Sequence, residues 1–454
     1  MRKLIILPFL LLAILPLFSI EGYMFRIYLK DKGEIALQTD PLQLISERAL
    51  QRRIKQGIPI DSTDYPVSAQ YISRIESSGF KVIAKSKWLN TISVYCKDSL
   101  SINKAQRFNF VDDIRFIWKG DTVSARKSES TAKKIKIIEK PEGVYGYGTE
   151  QLKMLNGDYL HEQGYKGKGM EIAVIDAGYK NFPEIMLLDN IHVKGVKDFV
   201  FDTDSIFRSS DHGLKVLSVI GANRPDIYIG TAPEAKFWLL KSEDGRSEYP
   251  VEEDYWVAAA EYADSVGVDI INTSLGYNKF HLPAKSYIHD DLDGKTAFIS
   301  KAARMAASKG IFMEMSAGNE GSSEWHKISV PADAFDVLTV GSVTRDSIVS
   351  SFSSWGPAAD GRVKPEVMAL GSSINVIGAD GEVVQSSGTS FSGPVMSGIA
   401  ACLWQAYPFL TNKQLLDVIC RSGHKYDAPG DVYGYGIPDM KKAVAIAEEL
   451  YGQN

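Results

Sequence analysis

Cysteine is scarce in this chain, with only Cys96, Cys402 and Cys420 among 454 residues. That excludes a disulfide framework and a zinc cluster built on thiolates. If Cys96 is lost with an N-terminal segment, the remaining two could pair in an oxidising compartment; two buried free thiols are the simpler reading. Positive charge is not in excess either, and a formal net charge of -5 gives no electrostatic footing for nucleic acid. Beyond Phe18 no run is long and apolar enough to span a bilayer. There is no D-x-D-x-D-G loop, so structural calcium stays conceivable but without assignable ligands, and clusters such as Asp290, Asp291 and Asp293 read as a solvated loop. No cofactor is indicated. Gly167 and Gly169 precede a strand, but Ile172 stands where a dinucleotide fingerprint needs its third glycine. Internal repeats are missing too, the YGYG at 145–148 and 433–436 being too short an echo to count.

With 44% hydrophobic and 24% charged residues, the chain can bury a large core and has room for two folded units. Arg2 and Lys3 precede an apolar run from Leu4 to Phe18, the pattern of an export signal over residues 1–22. The alternative, a retained anchor, rests on the imperfect cleavage site around Leu17, Ser19, Ile20 and Gly22. Residues 23–120 then mix strand and helix patterns. Strands are expected at Phe25–Leu29, Phe80–Ile83, Thr91–Tyr95 and Ile114–Trp118, a basic helix at 42–55, and a helix at 68–77 with Tyr71, Ile72 and Ile75 on one face. This is the make-up of a small α+β domain. Residues 121–148 contain SARKSESTAKKIKIIEKPEG, a lysine-rich polar run closed by a proline, which reads as an exposed linker with a processing site. The other reading of this stretch is an ordered strand at 135–138.

From Gly169 onward the patterning becomes α/β. MEIAVIDAG is a continuous apolar strand that breaks at Asp176, as suits the centre of a parallel sheet buried on both faces. Open α/β sheets place functional groups at the carboxyl ends of such strands. Further strands are expected at Lys236–Leu240, Val268–Asn272, Ile311–Met315 and Val337–Val340, with helices at 251–265 and 298–308 between them. The expected fold of residues 149–454 is therefore α/β, a doubly wound and mostly parallel sheet.

Three short segments occur in a fixed order: VIDAG around Asp176, DHG around His212 and GTSFSGP around Ser390. An acid, then a histidine, then a serine is one of the known chain orders of a nucleophilic triad. His212 would take the Ser390 proton on one ring nitrogen while Asp176 holds the N–H of the other. His212 opens the apolar stretch Leu214, Val216, Leu217, Val219 and Ile220, which would mount the base on a buried helix. The six other histidines, His161, His192, His281, His289, His326 and His424, lie in polar contexts and read as surface residues. Ser390 follows two turn-forming residues and precedes the apolar stripe Val395, Ile399 and Leu403, with Pro394 suited to a first helical turn. That places it at a helix N-terminus, where developing negative charge is favoured.

Together with SAGNEG around Asn319, these motifs make the chain resemble the subtilisin-like serine proteases, the subtilases, from about residue 150 to its end. The resemblance implies that the Asn319 amide donates to the oxyanion. It also implies that Ser274, Leu275 and Gly276 form one wall of an extended-peptide site, with Ala317 and Gly318 on the other side of the first specificity pocket. No charge stands in these segments, so an apolar or permissive first pocket is expected. Residues 23–120 hold the place of a prodomain that assists folding and blocks the active site; a permanent accessory domain is the rival reading. YGYGIPD at 433–439 resembles the close of a minimal subtilase domain, with no room left for a C-terminal sorting module. The chain departs from the family pattern at Ala177, where Ser or Thr follows the acid, at Leu214-Lys215 in place of Thr-His, and at Phe391-Ser392-Gly393 in place of Met-Ala-Ser. The expectation is an exported serine endopeptidase, periplasmic or extracellular, made as a zymogen. Its partners would be a protein substrate and its own prodomain, with no nucleic acid and no membrane span once the signal is removed. Two alternatives stay open: a catalytically weak binding or processing protein on the same fold, and an α/β-hydrolase esterase, against which stands Ser392 where G-x-S-x-G needs glycine.

Overall fold

The computed structural model describes residues 21–33, 40–120, 142–203 and 205–452. The apolar run of the expected signal and residues 121–141 of the expected linker, with the alternative strand at 135–138, lie outside the described residues.

The first unit comprises β1 (Tyr23–Leu29), α1 (Glu47–Lys55), α2 (Ala69–Ser77), β2 (Lys81–Ser86), β3 (Thr91–Cys96) and β4 (Val111–Lys119). Its antiparallel sheet runs β2-β3-β1-β4. The period of two along β1 decides what each face does. Phe25, Ile27 and Leu29 face a core with Ile75 of α2 and Phe110, whereas Met24 belongs to a second core shared with later helices. The helix expected at 42–55 starts only at Glu47. Ser46 ends the extended approach and caps the helix, its Oγ accepting the Ala49 N–H at 3.2 Å, and Pro41–Gln43 forms a separate single turn.

The second unit runs through α3 (Thr149–Lys153), α4 (Gly157–Glu162), β5 (Glu171–Asp176), β6 (His192–Asp198), α5 (His212–Gly221), the short β7 (Asn223–Arg224) and β8 (Tyr228–Ile229), and β9 (Lys236–Lys241). It continues with α6 (Val251–Val266), β10 (Ile270–Thr273), α7 (Phe298–Ser308), β11 (Phe312–Ser316), β12 (Leu338–Val343), β13 (Val367–Leu370), β14 (Ile374–Ile377), β15 (Val383–Ser386), α8 (Thr389–Ala406), α9 (Asn412–Ser422) and α10 (Met440–Tyr451). Seven strands pair in the order β13-β12-β11-β10-β5-β9-β6, and the pairings are parallel. Every residue of β5 is buried, because helices cover both faces. Leu214 and Val216 of α5, with Val395 and Ile399 of α8, pack on one face; Trp256 and Ala260 of α6, with Ala302 of α7, pack on the other. This is the doubly wound fold expected from the sequence. The chain adds strands on one side of β5, then crosses to the other at β10. The crevice at such a switch point lies at the strands' carboxyl ends, and Asp176 ends β5 there.

The two units meet along α6. Arg26 of β1 is buried and its Nε donates to Asp254 at 2.8 Å, while Ser93 of β3 donates to the same carboxylate at 2.5 Å. Arg53 of α1 is also buried, pairing with Asp264 at 2.7 Å and with Asp64 at 2.8 Å. Glu261 accepts from Ser86 Oγ at 2.6 Å and from the Trp88 N–H at 3.0 Å. The basic character of α1 is thus spent on a buried interface instead of a solvated face.

Candidate active site

Asp176 is 1% exposed. Its Oδ1 accepts from His212 Nδ1 at 2.8 Å and from the Ala177 N–H at 2.7 Å. Oδ2 is buried with no hydrogen-bond partner among the described residues, the expected consequence of alanine at position 177 where a hydroxyl would serve. His212 begins α5, and the helix comes this close to β5 because residue 213 is glycine: a Cβ there would stand 2.8 Å from Asp176 Cβ. Burial alone would lower the pKa of the imidazolium, but the charge of Asp176 and its hydrogen bond outweigh burial and hold it above the ordinary histidine value.

Ser390 stands at the second position of α8, and the His212 ring lies 5.6 Å from that of Phe391, centroid to centroid. The Ser390 hydroxyl donates to the Ser274 carbonyl at 3.2 Å. The reciprocal bond runs from Ser274 Oγ to the Ser390 carbonyl at 3.0 Å, and it has a cause. Pro394 is the sixth residue of the helix, not part of its first turn as the sequence suggested, so the Ser390 carbonyl has no N–H four residues on to accept. Ser274 supplies that missing donor. Asn319, just beyond β11, has its Oδ1 fixed by the Thr389 N–H at 2.8 Å and Thr389 Oγ1 at 3.0 Å. With the oxygen committed, the amide Nδ2 is left free to donate toward the first turn of α8; a Cβ on Gly388 would sit 3.7 Å from it.

The structure brings the expected wall segments together around a residue that sequence reasoning missed. A Cβ on Gly276 would stand 3.0 Å from Ser329 Cβ, and one on Gly318 3.0 Å from Ser329 Oγ. Ser329 thus lies between the two walls, with Leu275 half-buried beside it and Ala317 buried. Glu314 was missed as well. It sits fully buried on β11 beneath α8, where a Cβ on Gly393 would be 2.2 Å from its Oε1. Burial pushes its carboxyl well above the usual range. Neither residue lies in a recognisable motif; their contacts are long-range. His161 is a correction: it is 3% exposed, its Nε2 3.0 Å from the Thr231 carbonyl and 3.8 Å from Cys402 Sγ. The polar neighbours Glu162 and Gln163 suggested a surface, but α4 turns this face onto α8. All three cysteines are free and buried. Among the described residues no group of three or more His, Cys, Asp or Glu is placed to hold a metal ion.

Comparison with known proteins bears on the family and the fold. The family model described as "Subtilase family" matches residues 167–436, and one described as "Peptidase S8 propeptide domain, Bacteroidota" matches residues 24–135. Subtilisin E of Bacillus subtilis (strain 168) is 31% identical over 303 residues, which cover 65% of this chain and 70% of that protein. A subtilisin of Bacillus pumilus has the same identity over the same length and is covered to 98%. Among solved structures, MycP1 from Mycobacterium smegmatis superposes with a TM-score of 0.52 at 21% identity, over 67% of this chain and 89% of that one. At that identity the likeness concerns the fold.

Proposed function

We propose, from the premise that this chain belongs to the subtilase family and is a serine-type endopeptidase, that Asp176, His212 and Ser390 are its triad and Asn319 its oxyanion donor. The observation that carries the assignment is the 2.8 Å bond between His212 Nδ1 and Asp176 Oδ1, at the carboxyl end of β5 and beside the first turn of α8. His212 Nε2 takes the Ser390 proton after the hydroxyl turns away from the Ser274 carbonyl. Oγ then attacks the peptide carbonyl carbon, and the oxyanion accepts from Asn319 Nδ2 and the Ser390 N–H. Collapse passes the His212 proton to the leaving amine, and water, deprotonated by the same imidazole, releases the acyl group. Asp176 stays ionised throughout and stabilises the imidazolium.

The peptide lies extended between the Ser274–Gly276 and Ala317–Gly318 walls, over Ser329. Residues 1–22 direct export to the periplasm or the medium, 23–120 act as the prodomain, 121–148 carry the processing site, and 149–454 form the mature enzyme. In the full chain, Ser390→Ala and His212→Ala are expected to abolish both the shortening of the chain and peptide hydrolysis. Asn319→Ala should slow hydrolysis about 10²-fold, the magnitude known for such a donor in a subtilisin. A Ser390→Ala chain that still shortens itself in purified form contradicts the assignment.

A further inference from the structure

Beneath the helix that carries Ser390 lies a carboxyl group that the proposed mechanism does not use. Glu314 of β11 stands directly beside Asn272 of β10 in the parallel register, with Val174 and Leu338 on the strands to either side. The side chain is fully buried, in room left by the missing side chain of Gly393 on α8. Among the described residues only the Ser397 hydroxyl and the Thr273 N–H favour its anion, and burial outweighs them. Charges on neighbouring elements are committed elsewhere. On α9, Lys413 pairs with Asp336 and Arg421 with Asp417; ahead of β13, Lys364 pairs with Glu366. Glu314 is therefore held neutral, and a neutral carboxyl has one proton to place.

Where that proton sits decides how the next side chain turns. Oε1 has no hydrogen-bond partner among the described residues, whereas Oε2 lies 3.0 Å from the Asn272 amide. With the proton on Oε2, Asn272 presents its Oδ1, which accepts from Glu314 and from Ser397 Oγ at 2.9 Å. Its Nδ2 then donates to Ser274 Oγ at 3.0 Å. The one Ser274 proton is left for the Ser390 carbonyl, at 3.0 Å. An ionised Glu314 reverses the amide: Nδ2 turns to Oε2, and Oδ1 accepts from Ser274 Oγ at 3.0 Å. A hydroxyl donates once, so the Ser390 carbonyl loses the Ser274 donor, and Pro394 offers no N–H in its place.

We propose that Glu314 is a positioning residue for the nucleophile: as a neutral donor to Asn272 it sets the amide that commits the Ser274 hydroxyl to the Ser390 carbonyl. The first turn of α8 is thereby held in place for the attack of Oγ and for the oxyanion bond of the Ser390 N–H. The inference rests on the reading of Ser390 as the nucleophile and adds to it a group that never touches the substrate. Its reach runs along side chains of two adjacent strands, β11 and β10, and ends on the backbone of the reacting residue. A leucine at position 314 fills the same space but cannot bias the amide, which is then free to draw the Ser274 proton away.

The test follows kcat and KM on one peptide substrate for enzymes matured from their full chains, with active sites counted by fluorophosphonate titration so that unfolded chains do not enter the rate. Glu314→Leu should lower kcat about 3- to 10-fold, the reach of one neutral hydrogen bond, and leave KM within about twofold. Glu314→Gln, whose amide donates to Asn272 as the neutral acid does, should restore the wild-type kcat. In a Ser274→Ala background Glu314→Leu should cost nothing further, since the hydroxyl through which it acts is gone. The inference is overturned by an unchanged kcat in Glu314→Leu, by a loss confined to KM, by a Glu314→Gln enzyme as slow as Glu314→Leu, or by a loss of equal size with and without the Ser274 hydroxyl. Asn272→Ala breaks the same relay at its middle and takes the place of Glu314→Leu in each comparison if that chain does not mature. A wild type that hydrolyses the peptide but takes the label on a serine other than Ser390 overturns the nucleophile reading, and the inference with it.

Discussion

At the scale of single residues, the proposed role of His212 makes its ionisation decide when the site can work. In the proposed mechanism the base acts as neutral imidazole, and Asp176 holds its pKa above the ordinary histidine value despite burial. The acid limb of kcat/KM should therefore fall off at a pH above about 6.5, the ordinary histidine value. Asp176→Asn removes both the charge and the correct acceptor. It should move that limb to lower pH and cost on the order of 10⁴ in rate, as in another triad; a pH profile of both enzymes decides. Glu314 makes the opposite kind of prediction, about stability. Its carboxyl is raised in the folded chain, so its favourable contribution is complete below the unfolded carboxylate range. That contribution is lost as pH rises toward the folded value, by about 1.4 kcal/mol per pH unit. Glu314→Gln should flatten this decline, seen as a smaller drop in denaturation midpoint between pH 5 and pH 8. The proposed reacting groups stand out in the sequence because each has a local pattern: an apolar strand ending in Asp176, a histidine opening an apolar helix, glycines around Ser390. Ser329, Glu314 and the buried His161 were not legible, since each owes its place to segments far away in the chain.

At the scale of elements, the helix α6 carries more than its periodicity suggests. One face packs on the central sheet, and the other presents Asp254, Glu261 and Asp264 to the first unit. Arg53→Ala would leave Asp264 to Arg52 and Asp64 to Lys309, so the loss should stay below about 3–5 kcal/mol, the cost of a buried charge left with no partner. In the full-length Ser390→Ala background this should appear as a lower denaturation midpoint; an unchanged midpoint would remove these ion pairs from the account of how the units dock. Strong patterns such as β5, α6 and α7 could be read with ends within a residue or two. The edge strand β6 could not, because its sequence HVKGVKD alternates exposed and half-buried positions and resembles a loop. Pro394 misled for a similar reason. A proline signals a helix start only when the lost hydrogen bond has no substitute, and here Ser274 provides one.

At the scale of the whole molecule, strand order does the assembling. Residues from β5, β10, β11 and the first turn of α8 meet because the parallel sheet reverses its direction of growth between β9 and β10 and opens all these ends on one side. The first unit joins this body through α6, and its last strand ends beside the loop that follows β9, where Trp118 Nε1 donates to Ser247 Oγ. Fold class and domain order followed from sequence patterning; the buried ionic seam between the units did not, because α1 on its own looks like any solvated basic helix. The central claim is that Ser390 is a nucleophile activated by His212. The measurement that tests it most directly is labelling of the purified chain with a fluorophosphonate, followed by mass mapping of the adduct. The account predicts one adduct, on the peptide containing Ser390 of a shortened chain, absent from His212→Ala. A folded, shortened wild-type chain that takes no label, or carries it on another serine, would contradict it.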